Sequence, residues 1–153
     1  MPSPKKEKGG ISMENNRYLE LKRRHEKELN DFPMFFAFNK KQFEEGMEKL
    51  GLEPGDTDKV YRLSNTGGFY KKVDAPKFKK MFDRREQERQ DAINADETGE
   101  GYIYEMFQYE LANHEYGYTG RIDDALEALG LTLEEVKGCE RLSRGLALAR
   151  EDY

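Results

Sequence analysis

The sequence predicts an α+β fold in which about six helices pack on a small, mainly antiparallel sheet of three strands. Apolar residues recur at three- and four-residue steps over several long segments, which is the spacing of one helix face. Two aromatic and β-branched runs flank the glycine-containing segment "SNTGG", as is typical of a β-hairpin. The short aromatic run "MFFAF", at residues 34–38, predicts a third, buried strand.

The first two helices are delimited by different signals. An apolar stripe that includes His25 predicts a helix over residues 13–30. Asn39 is a suitable N-cap for the second helix, Gln42 occupies the position of a capping-box partner, and Gly51 ends the helix. The buried strand is therefore expected to lie between two helices.

A longer helix is expected to begin at Asp74, and its apolar stripe changes to Arg85 and Arg89 halfway along. After the loop "NADETGEG" the pattern predicts a helix over residues 101–115, followed by a turn at "YGYTG". Two short helices, "RIDDALEALG" and "TLEEVKG", and a last amphipathic segment, "ERLSRGLALA", complete the chain. Gly145 is an unfavourable residue within that last segment.

The length of 153 residues fits one domain with its own core. We expect a disordered basic tail over residues 1–12 and a single domain over residues 13–153, with Met13 as an alternative start. A single cysteine, Cys139, excludes an intrachain disulfide and favours a cytoplasmic protein. No apolar run approaches the roughly 20 residues of a membrane span, and no apolar region of a secretory signal follows the basic start.

The charge of the chain is unevenly distributed. The net charge is −5, but residues 1–90 carry 21 basic and 16 acidic side chains, whereas residues 91–153 carry 5 basic and 15 acidic ones. Residues 91–136 contain twelve carboxylates and a single cation, Arg121. The two halves either attract each other within the fold or leave an acidic face for a basic partner.

The acidic half motivates the first function hypothesis, a non-enzymatic protein that binds a basic surface on another protein. A nucleic-acid-binding host protein would carry such a surface. The candidate partner-binding residues are carboxylates expected to be exposed, together with tyrosines that would supply contact area. They are Glu97, Glu100, Tyr102, Glu105, Tyr109, Tyr116, Asp123, Asp124 and Glu127.

A second candidate site lies on the helix predicted after "NADETGEG". At 100° per residue, Glu110 and His114 fall in the same arc as the apolar side chains, whereas Gln108 points outward. A buried carboxylate requires a partner, and Arg85 or Arg89 would supply one. We therefore predict a buried polar cluster of Arg85, Arg89, Glu110 and His114. A structural network is the favoured interpretation of this cluster, and a catalytic site is the alternative.

No motif indicates a cofactor or a metal site. Glu110 and His114 would offer two ligands at i, i+4 spacing, but neither a second histidine nor a cysteine pair stands at ligand spacing. The "SNTGG" segment lacks the strand-to-helix context and the following lysine of a phosphate-binding loop. The sequence therefore gives no reaction and no catalytic residue.

Two basic segments, "LKRRHEK" and "KKVDAPKFKKMFDRR", give the alternative hypothesis of a nucleic-acid-binding accessory factor that uses the N-terminal half. The phenylalanines of the second segment have helical spacing, and acidic residues interrupt both segments. A solvated charged face is therefore favoured over direct binding of nucleic acid.

Three segments of the chain together carry a family resemblance: "FPMFFAFNKKQFEEGMEKLGL", "SNTGGFY" and "YELANHEYGYTGRIDDALEALGLT". Over residues 14–137 the sequence resembles a group of small, acidic, uncharacterised proteins carried on conjugative elements and phage-related regions of Firmicutes genomes. The resemblance implies a bacterial cytoplasmic protein with an accessory role in mobile DNA, such as an inhibitor of host defence. It implies no catalytic residues.

Overall fold

The computed structural model describes residues 15–63 and 66–153 of the chain. Within these residues it contains eight α-helices and three antiparallel strands, so the expected α+β class is confirmed. In chain order the elements are α1 (Arg17–Asp31), β1 (Met34–Phe36), α2 (Lys40–Lys49), β2 (Val60–Leu63), β3 (Gly68–Lys71), α3 (Ala75–Ala95), α4 (Tyr102–Asn113), α5 (Tyr116–Thr119), α6 (Asp123–Leu129), α7 (Leu133–Lys137) and α8 (Glu140–Arg150). None of the described helices combines the length and the apolar composition that a membrane span requires.

The described helices outnumber the expected six, partly because residues expected to form a turn form the short helix α5. The backbone adopts left-handed φ angles at Glu115 (58°) and at Gly120 (66°), directly before and after this helix. The chain therefore adopts a left-handed conformation at each end of α5, whereas the sequence predicted a single turn over these residues.

Strand β1 is shorter than predicted, since it ends at Phe36 and not at residue 38. The backbone N–H of Phe38 donates to Oε1 of Gln42, at 2.8 Å, and not to a neighbouring strand. The predicted N-cap of α2 is confirmed, because Oδ1 of Asn39 accepts a hydrogen bond from the Gln42 N–H at 2.8 Å. Hydrogen bonding at the N-terminus of α2 thus takes the place of sheet pairing after Phe36.

The described residues divide into two compact units. The sheet unit is Arg24–Gln87, and the helical unit consists of residues 15–23 and 88–153. The expected single domain over residues 13–153 stays a prediction. The expected tail over residues 1–12 and the alternative start at Met13 lie outside the described residues, as do residues 64 and 65 of the hairpin turn.

In the sheet unit the strand order is β1-β3-β2. One face of the sheet packs on α2 through the buried side chains of Phe35, Met47 and Val60. Gly46 of α2 makes this contact possible, because a Cβ atom at this position would lie 2.1 Å from the ring of Phe35. A larger residue would therefore separate α2 from the sheet.

The other face of the sheet is covered by aromatic rings. Tyr70 of β3 stacks on Phe78 of α3, with the ring centroids 4.3 Å apart. Phe32 approaches both rings edge-on, at 6.5 Å from Tyr70 and 5.3 Å from Phe78. The beginning of α3 is thereby fixed to the sheet.

The helical unit is built around α4, which packs against α5, α6 and α8. Ile103, Phe107 and Leu111 of α4 are each 0% exposed. A Cβ atom at Gly145 of α8 would lie 2.5 Å from Cγ2 of Ile103 and 2.8 Å from the carbonyl oxygen of Gly99. The glycine that is unfavourable for α8 alone is thus what allows α8 to approach α4.

The loop before α4 is organised by the carboxylate of Asp96. Its Oδ1 accepts a hydrogen bond from the Gly99 N–H at 3.0 Å, and its Oδ2 accepts from the Gly101 N–H at 3.1 Å and the Ile103 N–H at 2.9 Å. Gly101, the N-cap residue of α4, has no side chain to perform this role. Asp96 therefore caps α4 from a distance of several residues.

The same loop is held at the end of α3 by an arginine of α8. Nη1 of Arg141 donates to the carbonyl oxygens of Ile93 and Asp96, both at 2.9 Å. Burial alone would raise the pKa of Asp96, but the hydrogen bonds from the backbone amides outweigh it and hold the pKa below its usual value of 3.8. Arg141 thus binds carbonyl oxygens at the end of α3, and Asp96 binds N–H groups at the beginning of α4.

The substitution Asp96→Ala should lower the free energy of unfolding by about 2 kcal/mol in urea denaturation at neutral pH, because α4 loses its cap. Since the pKa of Asp96 is lower in the folded state than in the unfolded state, its stabilisation is present above the unfolded value of 3.8 and is lost as pH falls through the folded value. The difference between the two proteins should therefore shrink below about pH 4.

The matched control is Glu97→Ala, which removes an exposed carboxylate from the same loop. This substitution should change the free energy of unfolding by less than about 0.5 kcal/mol. Equal losses for the two variants would contradict the assignment of Asp96 as the cap.

Candidate functional site

The carboxylate of Glu110 lies inside the helical unit, where 1% of the residue is exposed. Nζ of Lys22, on α1, lies 3.6 Å from Oε1 of Glu110. Nε2 of His114, at the end of α4, lies 3.6 Å from Oε2. One ammonium and one imidazole therefore face the two oxygens of a buried carboxylate.

Tyr18, one helical turn before Lys22 on α1, faces the same carboxylate. Burial raises the pKa of Tyr18, and the charge of Glu110 and a hydrogen bond to it raise the pKa further. Nζ of Lys22 also lies 5.9 Å from the ring centroid of Tyr18 and 5.6 Å from that of Tyr109. The ammonium of Lys22 thus interacts both with the carboxylate of Glu110 and with the faces of two aromatic rings.

The two arginines of the predicted cluster occupy different environments. Arg89 is an exposed residue of the helical unit, and its positive charge opposes the rise in the pKa of Tyr18. Arg85 belongs to the sheet unit, where its guanidinium lies 4.6 Å from the ring centroid of Phe82. The cation that pairs with Glu110 is Lys22, which the sequence pattern did not predict. Its signal in the sequence is its position four residues after Tyr18, on the same face of α1.

The contacts of Glu110 favour a structural network. With 1% of the residue exposed, the carboxylate offers no access to a substrate. Two cavities are found in the sheet unit, and neither is lined by Glu110 or His114. In the part of the chain that the structure describes, no three His, Cys, Asp or Glu side chains are grouped as for a metal ion.

The nine predicted partner-binding residues divide into exposed and covered side chains. Tyr109 is half-buried next to Lys22, and Tyr116 is half-buried between the guanidinium of Arg150 and the ring of Tyr153. The exposed members are Glu97, Glu100, Asp123, Asp124 and Glu127. The acidic candidates thus remain accessible at five positions.

Two candidates are covered by residues near the beginning of α1. Tyr102 is 6% exposed and meets Tyr18 edge-on, with the ring centroids 6.0 Å apart. The side chain of Glu105 is 14% exposed, because it forms an ion pair with Arg17 and accepts a hydrogen bond from the Arg17 N–H at 2.8 Å. The expectation that Tyr102 and Glu105 are exposed contact residues is therefore wrong.

Gln108 was also expected to point outward, and this prediction is wrong. The residue is 6% exposed. Its Oε1 accepts a hydrogen bond from Nδ2 of Asn16 at 3.3 Å, and its Nε2 donates to the hydroxyl of Tyr104 at 3.2 Å. The polar side of α4 is thus buried as well, through pairing with other polar groups.

One exposed aromatic residue was absent from the predicted site. Tyr118 of α5 is 94% exposed, and it precedes the acidic first turn of α6 by five residues. Because "YGYTG" was interpreted as a turn, nothing in the pattern distinguished an exposed tyrosine from a buried one. Leu133, at the start of α7, is a second exposed apolar residue, at 44%.

The chain belongs to a family of unknown function, DUF7659, whose sequence model matches residues 17–152. The match covers almost all of the described chain and includes both the Glu110 cluster and the exposed carboxylates. No curated protein and no solved structure matches the chain.

The substitution Lys22→Met should lower the free energy of unfolding by about 2 kcal/mol, because it leaves the buried carboxylate of Glu110 without its ammonium partner. The matched control is Lys79→Met, which breaks an exposed pair with Asp83, 2.7 Å long. The control should cost at most about 0.5 kcal/mol in the same urea titration. Comparable losses would show that Lys22 contributes no more than an exposed lysine.

The substitution Tyr102→Phe should protect the protein against alkaline unfolding. Burial raises the pKa of Tyr102 from 10.0 to about 12. A tyrosine of the unfolded chain ionises at the lower value, so the stability linked to Tyr102 is present below about pH 10 and is lost as pH rises to about 12.

Thermal unfolding at pH 9 and pH 11 measures this effect. The midpoint of the Tyr102→Phe protein should fall less between the two pH values than the midpoint of the unaltered protein. Tyr118→Phe, at a position that is 94% exposed, should behave as the unaltered protein does. A Tyr102→Phe protein with the unaltered pH dependence would contradict the assignment.

Proposed function

We propose that this member of DUF7659 is a non-enzymatic accessory protein whose helical unit binds a basic surface of another protein through exposed carboxylates. The observation that carries the proposal is the unbalanced charge of this unit. Its described residues contain 17 acidic and 9 basic side chains, a net charge of −8. Such an excess of one sign attracts and orients a partner of the opposite sign.

Several arginines of the helical unit are directed away from the exposed carboxylates. Arg141 donates to two backbone carbonyl oxygens. Nε of Arg150 donates to the hydroxyl of Tyr116 at 2.9 Å. Arg17 is paired with the covered carboxylate of Glu105. Among the residues that the structure describes, these three cations therefore form no ion pair with the exposed carboxylates of the predicted face.

Two ion pairs involve exposed carboxylates of the predicted face. Arg121 lies 3.0 Å from Asp123, and Arg144 lies 3.9 Å from Glu100. Exposed pairs of this kind contribute roughly 0 to 1 kcal/mol, so a partner's lysines and arginines can replace them at little cost. Within the described residues, three further exposed carboxylates form no ion pair: Glu97, Asp124 and Glu127.

Exposed apolar residues adjacent to α6 in the chain support binding of a protein. Tyr118 and Leu133, which precede α6 and begin α7, are 94% and 44% exposed. Protein interfaces combine such contact residues with a polar rim, and tyrosine is among the residues that contribute most to binding. Tyr118 therefore joins the proposed site, from which Tyr102 is removed.

We propose a nucleic-acid-binding protein of a bacterial host as the partner, because such proteins carry strongly basic surfaces. The resemblance to small acidic proteins of conjugative elements and phage-related regions supports a cytoplasmic accessory role on a mobile genetic element. A protein that covers the basic surface of a host defence protein would act there as an inhibitor. No catalytic step is required for this role.

Purification of the tagged protein from its native host, followed by titration of the recovered partner, tests the proposal. The double substitution Asp124→Lys with Glu127→Lys reverses two charges at i, i+3 spacing on α6. The matched control, Glu45→Lys with Glu48→Lys, reverses two exposed charges at the same spacing on α2.

The α6 variant should bind at least tenfold more weakly, the α2 variant should bind within about twofold of the unaltered protein, and binding should weaken with added salt. Equal affinities for the two variants, or binding that is independent of salt, would overturn the proposal. The α2 variant also controls for the change in net charge, since both doubles shift it equally.

A further inference from the structure

A surface cavity of about 530 Å³ lies in the sheet unit, where the chain leaves β1 and enters α2. Its walls are formed by three phenylalanines and two cations, together with smaller residues. The principal lining residues are Phe38, Lys40, Phe43, Arg62, Gly67 and Phe69. Neither the proposed acidic face nor the Glu110 cluster contributes to this cavity.

The floor of the cavity is a fixed set of aromatic rings. Phe69 of β3 stacks on Phe35, with the ring centroids 5.2 Å apart and the planes at 16°. Phe43 of α2 meets Phe69 edge-on, with the centroids 5.1 Å apart. Because Phe35 is buried under α2, these rings are held in place by the core of the unit.

Phe38 forms one wall and is 78% exposed. Its backbone is tied down, since its N–H donates to the side chain of Gln42 and the neighbouring Ala37 N–H donates to the Gly67 carbonyl oxygen at 2.9 Å. A Cβ atom at Gly67 would lie 2.6 Å from the Phe38 ring, so only glycine lets the ring lie against the hairpin. The protein therefore presents a large ring on a fixed support, and its own core does not cover that ring.

Two cations border these rings. Arg62 is the cross-strand neighbour of Phe69, so its side chain emerges on the same face of the sheet. In the described part of the chain, the exposed side chain of Arg62 takes part in no hydrogen bond or ion pair. Lys40 is 91% exposed and has a weak pair with Glu44, 4.0 Å long. Both cations are thus available to an anion in the cavity.

The chain that forms the hairpin and follows it has the same sign of charge, whereas α2 carries equal numbers of lysines and glutamates. Residues 59–85 contain nine lysines and arginines and two aspartates. Outside the cavity, Nζ of Lys72 lies 5.1 Å from the ring centroid of Tyr61, and Tyr61 is 46% exposed. A second exposed aromatic ring with an adjacent cation therefore lies on the same hairpin, on the face of the sheet opposite Phe69.

We propose that this cavity binds single-stranded nucleic acid, with one base stacked on Phe38 and the adjacent phosphate bound by Arg62 and Lys40. Exposed aromatic rings beside cations are what unpaired bases and their phosphates require, and base stacking tolerates any sequence. A double helix buries its base faces and could not use Phe38. The other lysines of the hairpin give a longer strand contacts that a single nucleotide lacks.

Fluorescence anisotropy with a labelled twelve-nucleotide oligothymidylate tests the proposal at low salt. We expect binding that weakens steeply with added salt, because bound phosphates release counterions. The same strand in a duplex, and thymidine 5′-monophosphate as a competitor, form the comparison arms. Both should bind at least tenfold more weakly than the single strand. Equal competition by the mononucleotide would assign the cavity to a free nucleotide and overturn the proposal.

The variant Phe38→Ala should weaken binding at least fivefold, in line with the loss of one stacked base. Its control is Phe36→Ala, which removes a 49% exposed ring from the end of β1, on the face of the sheet opposite Phe69. The variant Arg62→Ala should also weaken binding and reduce the salt dependence, whereas Lys79→Ala, at an exposed lysine of α3, should do neither. Circular dichroism verifies that each variant folds.

The absence of any binding at low salt, or equal losses for Phe38→Ala and Phe36→Ala, would overturn the proposal. The test is independent of the acidic face, because Asp124→Lys with Glu127→Lys should bind the strand no more weakly than the unaltered protein. Either proposal can therefore fail while the other stands.

Discussion

The helical unit depends on how its central helix, α4, begins. Asp96 receives three backbone N–H groups with one carboxylate, and Arg141 binds the carbonyl oxygens at the end of the preceding helix. Because these hydrogen bonds fix both ends of the loop, α4 is oriented with its apolar residues toward α6 and α8. The same fixed orientation carries Glu110 into the interior two turns later, so the fold must also supply a cation there, and Lys22 fills this role.

The two units use arginine and aromatic residues in different ways. In the helical unit, Arg141 and Arg150 are bound to carbonyl oxygens and to a tyrosine hydroxyl, which leaves an excess of negative charge at the surface. In the sheet unit, Arg62 has no such internal partner among the described residues and stands beside exposed rings. The net charge of −5 hides this contrast, because it sums the −8 of the described part of the helical unit and the positive charge of the rest of the chain.

Local signals predicted most of the fold, and long-range packing accounts for the errors. The cap at Asn39 formed as predicted, because a cap is decided within one helical turn. The burial of Gln108 could not be predicted, since its partner Asn16 lies 92 positions away in the chain. The same holds for Tyr102, which the beginning of α1 covers. In each case the amphipathic pattern of one helix could not reveal which of its residues a distant segment of the chain would cover.

The hydrogen bonds of Asp96 have a consequence for how this family can change. The carboxylate binds three main-chain N–H groups and, at 3.4 Å, the hydroxyl of Thr98, so its hydrogen bonds do not involve the side chains of Glu97 and Glu100. Both of these side chains face solvent. Relatives can therefore exchange these two residues for neutral or basic ones and keep the same backbone, so the surface charge of the loop can change while the architecture persists.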